Sequence, residues 1–281
     1  MRSRRSRPST LLRRVRRLPR AAVILLAALA LAIAGVTYQL ARKPTEILAA
    51  VVPSSPRPPE RTWEDYRPLF EAHATAVVRP ELLAAALRLG EGGGDPLATP
   101  RWTFRWSANP LDLYGPPSSA VGLLQMTDGN LADARRLCVH DHEVAREGPW
   151  HDPRGCWLNG LYLRVLPGDS VEMTSAFLDA SIREIAHRHR LRRLAPERVR
   201  RLAAVIHLCG RARGEELARR GFWVVPGERC GDQDVAAYVG RVEALALRFE
   251  RVSGRPAARE AIVFSDRVPR RGDPPRIPHP R

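Results

Sequence analysis

Glu91 is a lone carboxylate followed by Gly92, Gly93 and Gly94, placed where an apolar helical pattern beginning at Pro80 runs out after Leu89. The last carbonyls of a helix carry partial negative charge, and Leu87 and Leu89 would strip water from a nearby carboxyl. Both effects disfavour the ionised form. A carboxyl that keeps its proton near neutral pH is a general acid, and side-chain-free residues beside it give a substrate close access. The plainer reading is an exposed glutamate next to a glycine helix cap.

Other residues could serve such an acid. In "SSAVGLLQMTDG", Ser118 to Gly129, small residues precede an apolar turn that ends in Gln125 and Thr127. The Gln125 amide has two donors and an acceptor with which to orient a polar ligand. Trp102, Phe104 and Trp106 alternate in "RWTFRW" and would show their rings on one side of a strand, with Tyr114 nearby. Such a row of rings could stack on a ligand, although core or hairpin packing uses the same residues. Glu172 is a further carboxylate, but three residues after Asp169 it also fits a helix capping partner. His140 and His142, with His151 and Asp152, have metal-ligand types without a metal-ligand motif, so a solvated loop is expected and no metal or other cofactor. His207 lies in an apolar helix, where a satisfied core histidine and a site residue are both open; His187 and His189 read as a solvated helix end.

The elements that must position these groups are helical. Thr62 with Asp65 predicts one helix start, Asp169 with Glu172 another, and Pro80 and Pro196 sit at first-turn positions of two more. Val235, Val239, Val242, Leu245 and Phe249 make one apolar face at helical spacing. No repeat is visible. The fold class expected is mainly α, with long loops and at most a small β-hairpin.

Taken together, "ALRLGEGGGDPLA" and "SSAVGLLQMTDG" resemble the lytic transglycosylases of the soluble, goose-lysozyme-like type. That family's pattern is a helix ending in Glu-Ser-x-x-Asn-Pro, then Gly-Ala-x-Gly-Leu-Met-Gln-Ile/Met, then Asn-Ile-x-x-Gly-x-x-Tyr-Leu, then Ala-Tyr-Asn. Glu91, Gly94, Asp95 and Pro96 fall on the first element, and Ala120, Gly122, Leu123, Leu124, Gln125 and Met126 on the second. Ser170 to Leu178 fits the third loosely, and Ala204 to Gly210 fits the fourth poorly; the likeness covers about 80 to 210. Gly92 replaces the family's serine, and Ile206 with His207 stands where Tyr-Asn is expected.

The resemblance implies a lysozyme-like helical domain that binds peptidoglycan glycan strands. It casts Glu91 as the single acid/base cutting the β-1,4 bond between N-acetylmuramic acid and N-acetylglucosamine, with the sugar's own 6-hydroxyl as nucleophile and a 1,6-anhydro product. Gly122, Gln125, Met126, Thr127, Trp102, Trp106, Tyr114, Glu172 and His207 become substrate-side residues, and Arg101 and Arg105 suit acidic peptide stems. A module of the same fold that binds glycan without cleaving it, within an envelope or secretion complex, is the alternative.

Charge and cysteines bear on location. Nine arginines in residues 1–20, Arg42 and Lys43, and five arginines against two aspartates in 266–281 carry most of the formal +16, which leaves residues 44–265 nearly neutral. Nucleic acid is therefore not expected as a partner. Residues 21–41 are uncharged and long enough to cross a bilayer, and the basic flank would stay cytoplasmic. A single-pass inner-membrane anchor with a periplasmic domain is expected, or a signal peptide cleaved after Ala32-Ile33-Ala34. Cys138, Cys156, Cys209 and Cys230 suit an oxidising compartment; of three possible pairings the sequence neighbours are favoured. The organisation expected is a basic segment at 1–20, the apolar segment at 21–41, a Pro-rich linker at 42–60, the domain at 61–253 and a disordered Pro/Arg-rich tail at 254–281.

Overall fold

The computed structural model describes residues 19–42, 58–89, 103–104, 106, 114–115, 120, 122–148, 152, 155–255 and 260–264. Its first element, α1 (Arg20–Arg42), is a helix long and apolar enough to cross a membrane, and none of its apolar window is buried. The rest is mainly α. Its helices are α2 (Pro59–His73), α3 (Pro80–Leu89), α4 (Asp128–Ala134), α5 (Pro167–Arg188), α6 (Pro196–Cys209), α7 (Arg211–Arg219) and α8 (Val235–Ser253).

The core forms around α3, in which every residue from Pro80 to Leu87 is buried. A helix apolar all round must be covered on all sides. Here α8 and α2 pack along it, with α5 and α6 closing the remaining face. Trp63 of α2 stacks between Phe70 and Phe249, with ring centroids 6.1 and 5.7 Å away. The apolar face expected of α8 is present: Val235, Val239, Val242 and Phe249 are buried, with Leu245 packed against them. Pro80 and Pro196 open their helices as expected, and Gly210, with φ +82, ends α6.

Both capping boxes expected from sequence are corrected. α2 starts at Pro59, three residues before Thr62, whose buried hydroxyl donates back to the Pro58 carbonyl at 3.5 Å. α5 starts at Pro167, so Glu172 lies in its second turn. Asp169 accepts instead from the Leu163 N–H at 2.9 Å. In each case a proline with preset φ fixes the start earlier than the polar pair would.

The expectation of at most one hairpin is also corrected, because the described residues form four two-stranded antiparallel ribbons. β1 (Thr103–Phe104) pairs with β2 (Tyr114–Gly115), which places the one strand read from "RWTFRW". β3 (Leu137–His140) pairs with β4 (Glu143–Arg146) across a turn in which Asp141 and His142 have φ of 50° and 64°. β6 (Arg229–Cys230) pairs with β7 (Gln233–Asp234). β5 (Arg193–Leu194) pairs with β8 (Ile262–Val263), and Phe264 is buried in the core. Within the stretch expected as tail, Ile262 and Val263 pair with β5 and Phe264 packs on the core.

Disulfides join Cys138 to Cys156 and Cys209 to Cys230, the sequence neighbours, with Cα separations of 5.5 and 5.7 Å.

Candidate functional site

The turn from Gly122 to Met126 follows from its residue types. At Gly122 φ is +85°, and a Cβ there would sit 1.9 Å from the Arg164 carbonyl oxygen, so only glycine allows this approach. Leu123, Leu124 and Met126 are buried and plug the turn into the core. Gln125 adopts a left-handed φ of 51°, and its backbone N–H and side-chain Nε2 both donate to the Gly122 carbonyl, at 3.1 and 2.9 Å. Arg164 closes the far end. Its Nη1 donates to the Met126 carbonyl at 2.9 Å and pairs with Asp128 at 2.8 Å. Thr127 stands at the N-cap of α4, but its side chain makes no capping bond.

His207 fastens this turn to the helices. Its Nε2 lies 2.9 Å from the Leu124 carbonyl oxygen, which can only accept, so Nε2 carries the proton. Nδ1 then accepts from the Tyr238 hydroxyl, also at 2.9 Å. Both ring nitrogens are satisfied in the neutral tautomer. Burial holds the imidazole pKa below its usual value, opposed by the hydrogen bond to Leu124. Burial likewise pushes the Tyr238 phenol up. His207 and Tyr238 line a tight crevice with Leu82 and Ala86 of α3. The α3 turn that leads towards Glu91 thus runs past the clamp that holds the Gly122–Met126 turn.

Glu172 belongs to a second cluster. It is 8% exposed, accepts from the Val139 N–H and the Tyr162 hydroxyl at 3.0 Å each, and lies 3.8 Å from His73 Nδ1. It braces β3 against α5. Burial lowers the His73 pKa, with Glu172 and then Asp169 opposing. Burial raises the Tyr162 phenol, and the neighbouring carboxylate adds to that. The segment Tyr162 to Arg164 links the two clusters: Arg135, which ends α4, donates to the Tyr162 carbonyl at 3.2 Å, and Arg164 reaches Met126 as above.

The structure therefore brings Gly122, Gln125, Met126, Thr127 and His207 together, with Glu172 joined to them through Tyr162. Glu91, Gly92 to Gly94, Trp102 and His151 lie outside the described residues, and Tyr114 is placed only by its backbone, opposite Phe104. The indole of Trp106 is 99% exposed. His142 donates from Nδ1 to the Ala74 carbonyl at 2.9 Å, and His140 Nε2 meets Cys138 Sγ at 3.2 Å. Among the described residues no three His, Cys, Asp or Glu side chains form a metal-ligand group.

Arg164, Tyr162 and Tyr238 escaped sequence reasoning. Tyr238 carried a signal, since a hydroxyl within an apolar helical face needs a partner. Arg164 carried none, because its partners lie 36 and 38 positions earlier. The chain matches no protein-family model, no curated protein and no solved structure.

Proposed function

We propose that this chain is a peptidoglycan lytic transglycosylase with a lysozyme-like domain on the exported side of a membrane, anchored there by α1. The observation that supports this most is the His207 clamp. It ties the Gly122–Met126 turn, the second motif element of the resemblance, to α6 and α8, beside Leu82 and Ala86 of the helix that precedes Glu91, the first element, in sequence.

In this reading the Glu91 carboxyl donates its proton to the glycosidic oxygen as the C–O bond breaks. The acetamido group of the muramic sugar stabilises the cationic centre. The Glu91 carboxylate then takes the proton of the 6-hydroxyl, whose oxygen closes on C1 to give the 1,6-anhydro product and return the acid to its starting form. Substrate-assisted routes of this kind need one carboxylate where ordinary glycosidases use two. The exposed Trp106 is available to stack on a sugar ring.

A second reading, glycan binding without cleavage, has its own support. Where the family carries Tyr-Asn, Ile206 is fully buried and His207 is engaged in the clamp. Gln125 also turns one amide donor inward, onto Gly122.

Incubating the chain with purified sacculi, and reading anhydro-muropeptides by mass spectrometry, tests both. Wild type releases them, and Glu91→Gln lowers the rate by roughly 10²- to 10⁴-fold. Equal release by Glu91→Gln refutes the assigned acid. Co-sedimentation with sacculi and no release by either protein leaves the binding module.

A further inference from the structure

Large apolar side chains on the domain surface are mostly scattered, but one stretch gathers them. Just before α5, Leu161 is 76% exposed, Leu163 51% and Leu166 48%. Among the described residues outside α1, no other six-residue stretch exposes three large apolar side chains. The polarity of this stretch is reversed, because Tyr162 and Arg164, which alternate with the leucines, turn inward. The Tyr162 hydroxyl reaches the buried Glu172 and Arg164 reaches the Met126 carbonyl, with the leucines left on the outer side.

A pinned backbone holds them there. The buried Asn159 amide donates to the Leu137 carbonyl, and the Tyr162 N–H donates to the Asn159 carbonyl at 3.1 Å. The Leu163 N–H donates to Asp169 at 2.9 Å, and the Leu166 N–H to the Leu163 carbonyl at 3.1 Å. An edge fixed in this way loses little backbone freedom when it binds. Neighbouring exposed apolar side chains of this kind mark contact with a partner or a membrane.

We propose that Leu161, Leu163 and Leu166 dip into the apolar boundary of the bilayer that α1 enters, and so set which face of the domain rests on the membrane. This rests on α1 acting as an anchor, and not on glycan cleavage. α1 ends at Arg42 and the fold resumes at Pro58. The fifteen residues between them reach at most roughly 50 Å even when fully extended, so the bilayer is the apolar phase always within range. Three partly exposed leucines fall well short of the roughly 800 Å² per partner that a stable protein interface needs. A tethered domain needs only a small apolar contact to settle on lipid. Because uncharged side chains make the contact, it requires no anionic headgroup and salt does not weaken it.

The test places a bimane fluorophore on Leu163→Cys of the full chain, in phosphatidylcholine nanodiscs with or without lipid brominated in its acyl chains. Brominated lipid is expected to quench it, and to leave bimane on His187→Cys bright, since that exposed position lies at the other end of α5, about 30 Å away. Leu161→Ser with Leu166→Ser should weaken docking by roughly 100-fold, about tenfold for each leucine, and remove the quenching at 163. The urea midpoint of that pair should hold, because both side chains are exposed and Leu166 is the N-cap of α5, where serine is favoured. Bimane on Leu29→Cys reads the insertion of α1 separately. Quenching at 29 with none at 163 overturns the docking and leaves the anchor. Equal quenching at 163 and 187, quenching at 163 that survives the serine pair, or quenching lost in about 0.5 M salt overturns it as well. No quenching at 29 removes the anchor, and the proposal with it.

Discussion

His207 and His73 are two partly covered histidines in one domain, and they are built differently. His207 has a neutral partner on each ring nitrogen, a carbonyl and a phenol hydroxyl, so one tautomer is locked. His73 keeps a buried Nδ1 without a hydrogen bond, 3.8 Å from the Glu172 carboxylate. Burial lowers both pKa values, but a backbone carbonyl opposes it at His207 and carboxylates oppose it at His73. The first histidine is a strut whose two ring nitrogens are both satisfied in the neutral form. The second has a carboxylate within reach, so taking a proton would turn that contact into an ion pair. The lesson is that a lone histidine's neighbours, not its burial, decide whether it positions a turn or senses charge.

The sharpest way to break the His207 side is through the turn it holds. Gly122→Ala sets a Cβ 1.9 Å from the Arg164 carbonyl and forces an unfavourable φ. It should cost about 3–5 kcal/mol in urea unfolding. Tyr238→Phe removes the donor to Nδ1 and leaves the ring otherwise in place, at about 1–2 kcal/mol in the same assay. An unchanged midpoint would mean that the phenol is not part of the clamp.

The smallest effect is in pH. Both histidines titrate below the ordinary 6.5 in the folded chain, so the unfolded chain binds protons first. Their stabilising contribution is complete above pH 6.5 and falls as pH drops from there towards the lowered folded values. Urea midpoints between about pH 7.5 and about pH 5.5 should decline accordingly. Glu172→Gln removes the charge that raises His73, so NMR titration should find the His73 midpoint moved further down and that of His207 unmoved.

What was legible in sequence was local. Pro80 and Pro196 announced helix starts because their φ is preset, and the α8 face announced itself by spacing. The cysteine neighbours paired as favoured. Thr62 and Glu172 misled because each fits a capping box while its role is set by distant chain: Thr62 is fully buried, and Glu172 holds a strand 33 positions earlier. β3–β4 was hidden since Leu137, Cys138 and Val139 are all buried and show no alternation, and its turn is Asp-His and not Asn-Gly. β8 was hidden because three apolar residues inside an Arg/Pro-rich stretch pair with a strand some 70 positions back. Of the candidate site, the Gly122–Met126 turn was readable as a motif and His207 as an oddity. That the one grips the other, across 83 positions, was not.

The bridge from Cys209 to Cys230 begins two residues beyond His207, at the final turn of α6, and its 21-residue loop takes in the whole of α7. Closing a loop of that size contributes about 3 kcal/mol, all of it absent while the thiols are reduced. In a reducing cytosol that helix end would be free to fray, and the grip on Leu124 with it. Assembly of the turn is thus tied to the redox state of this one cysteine pair.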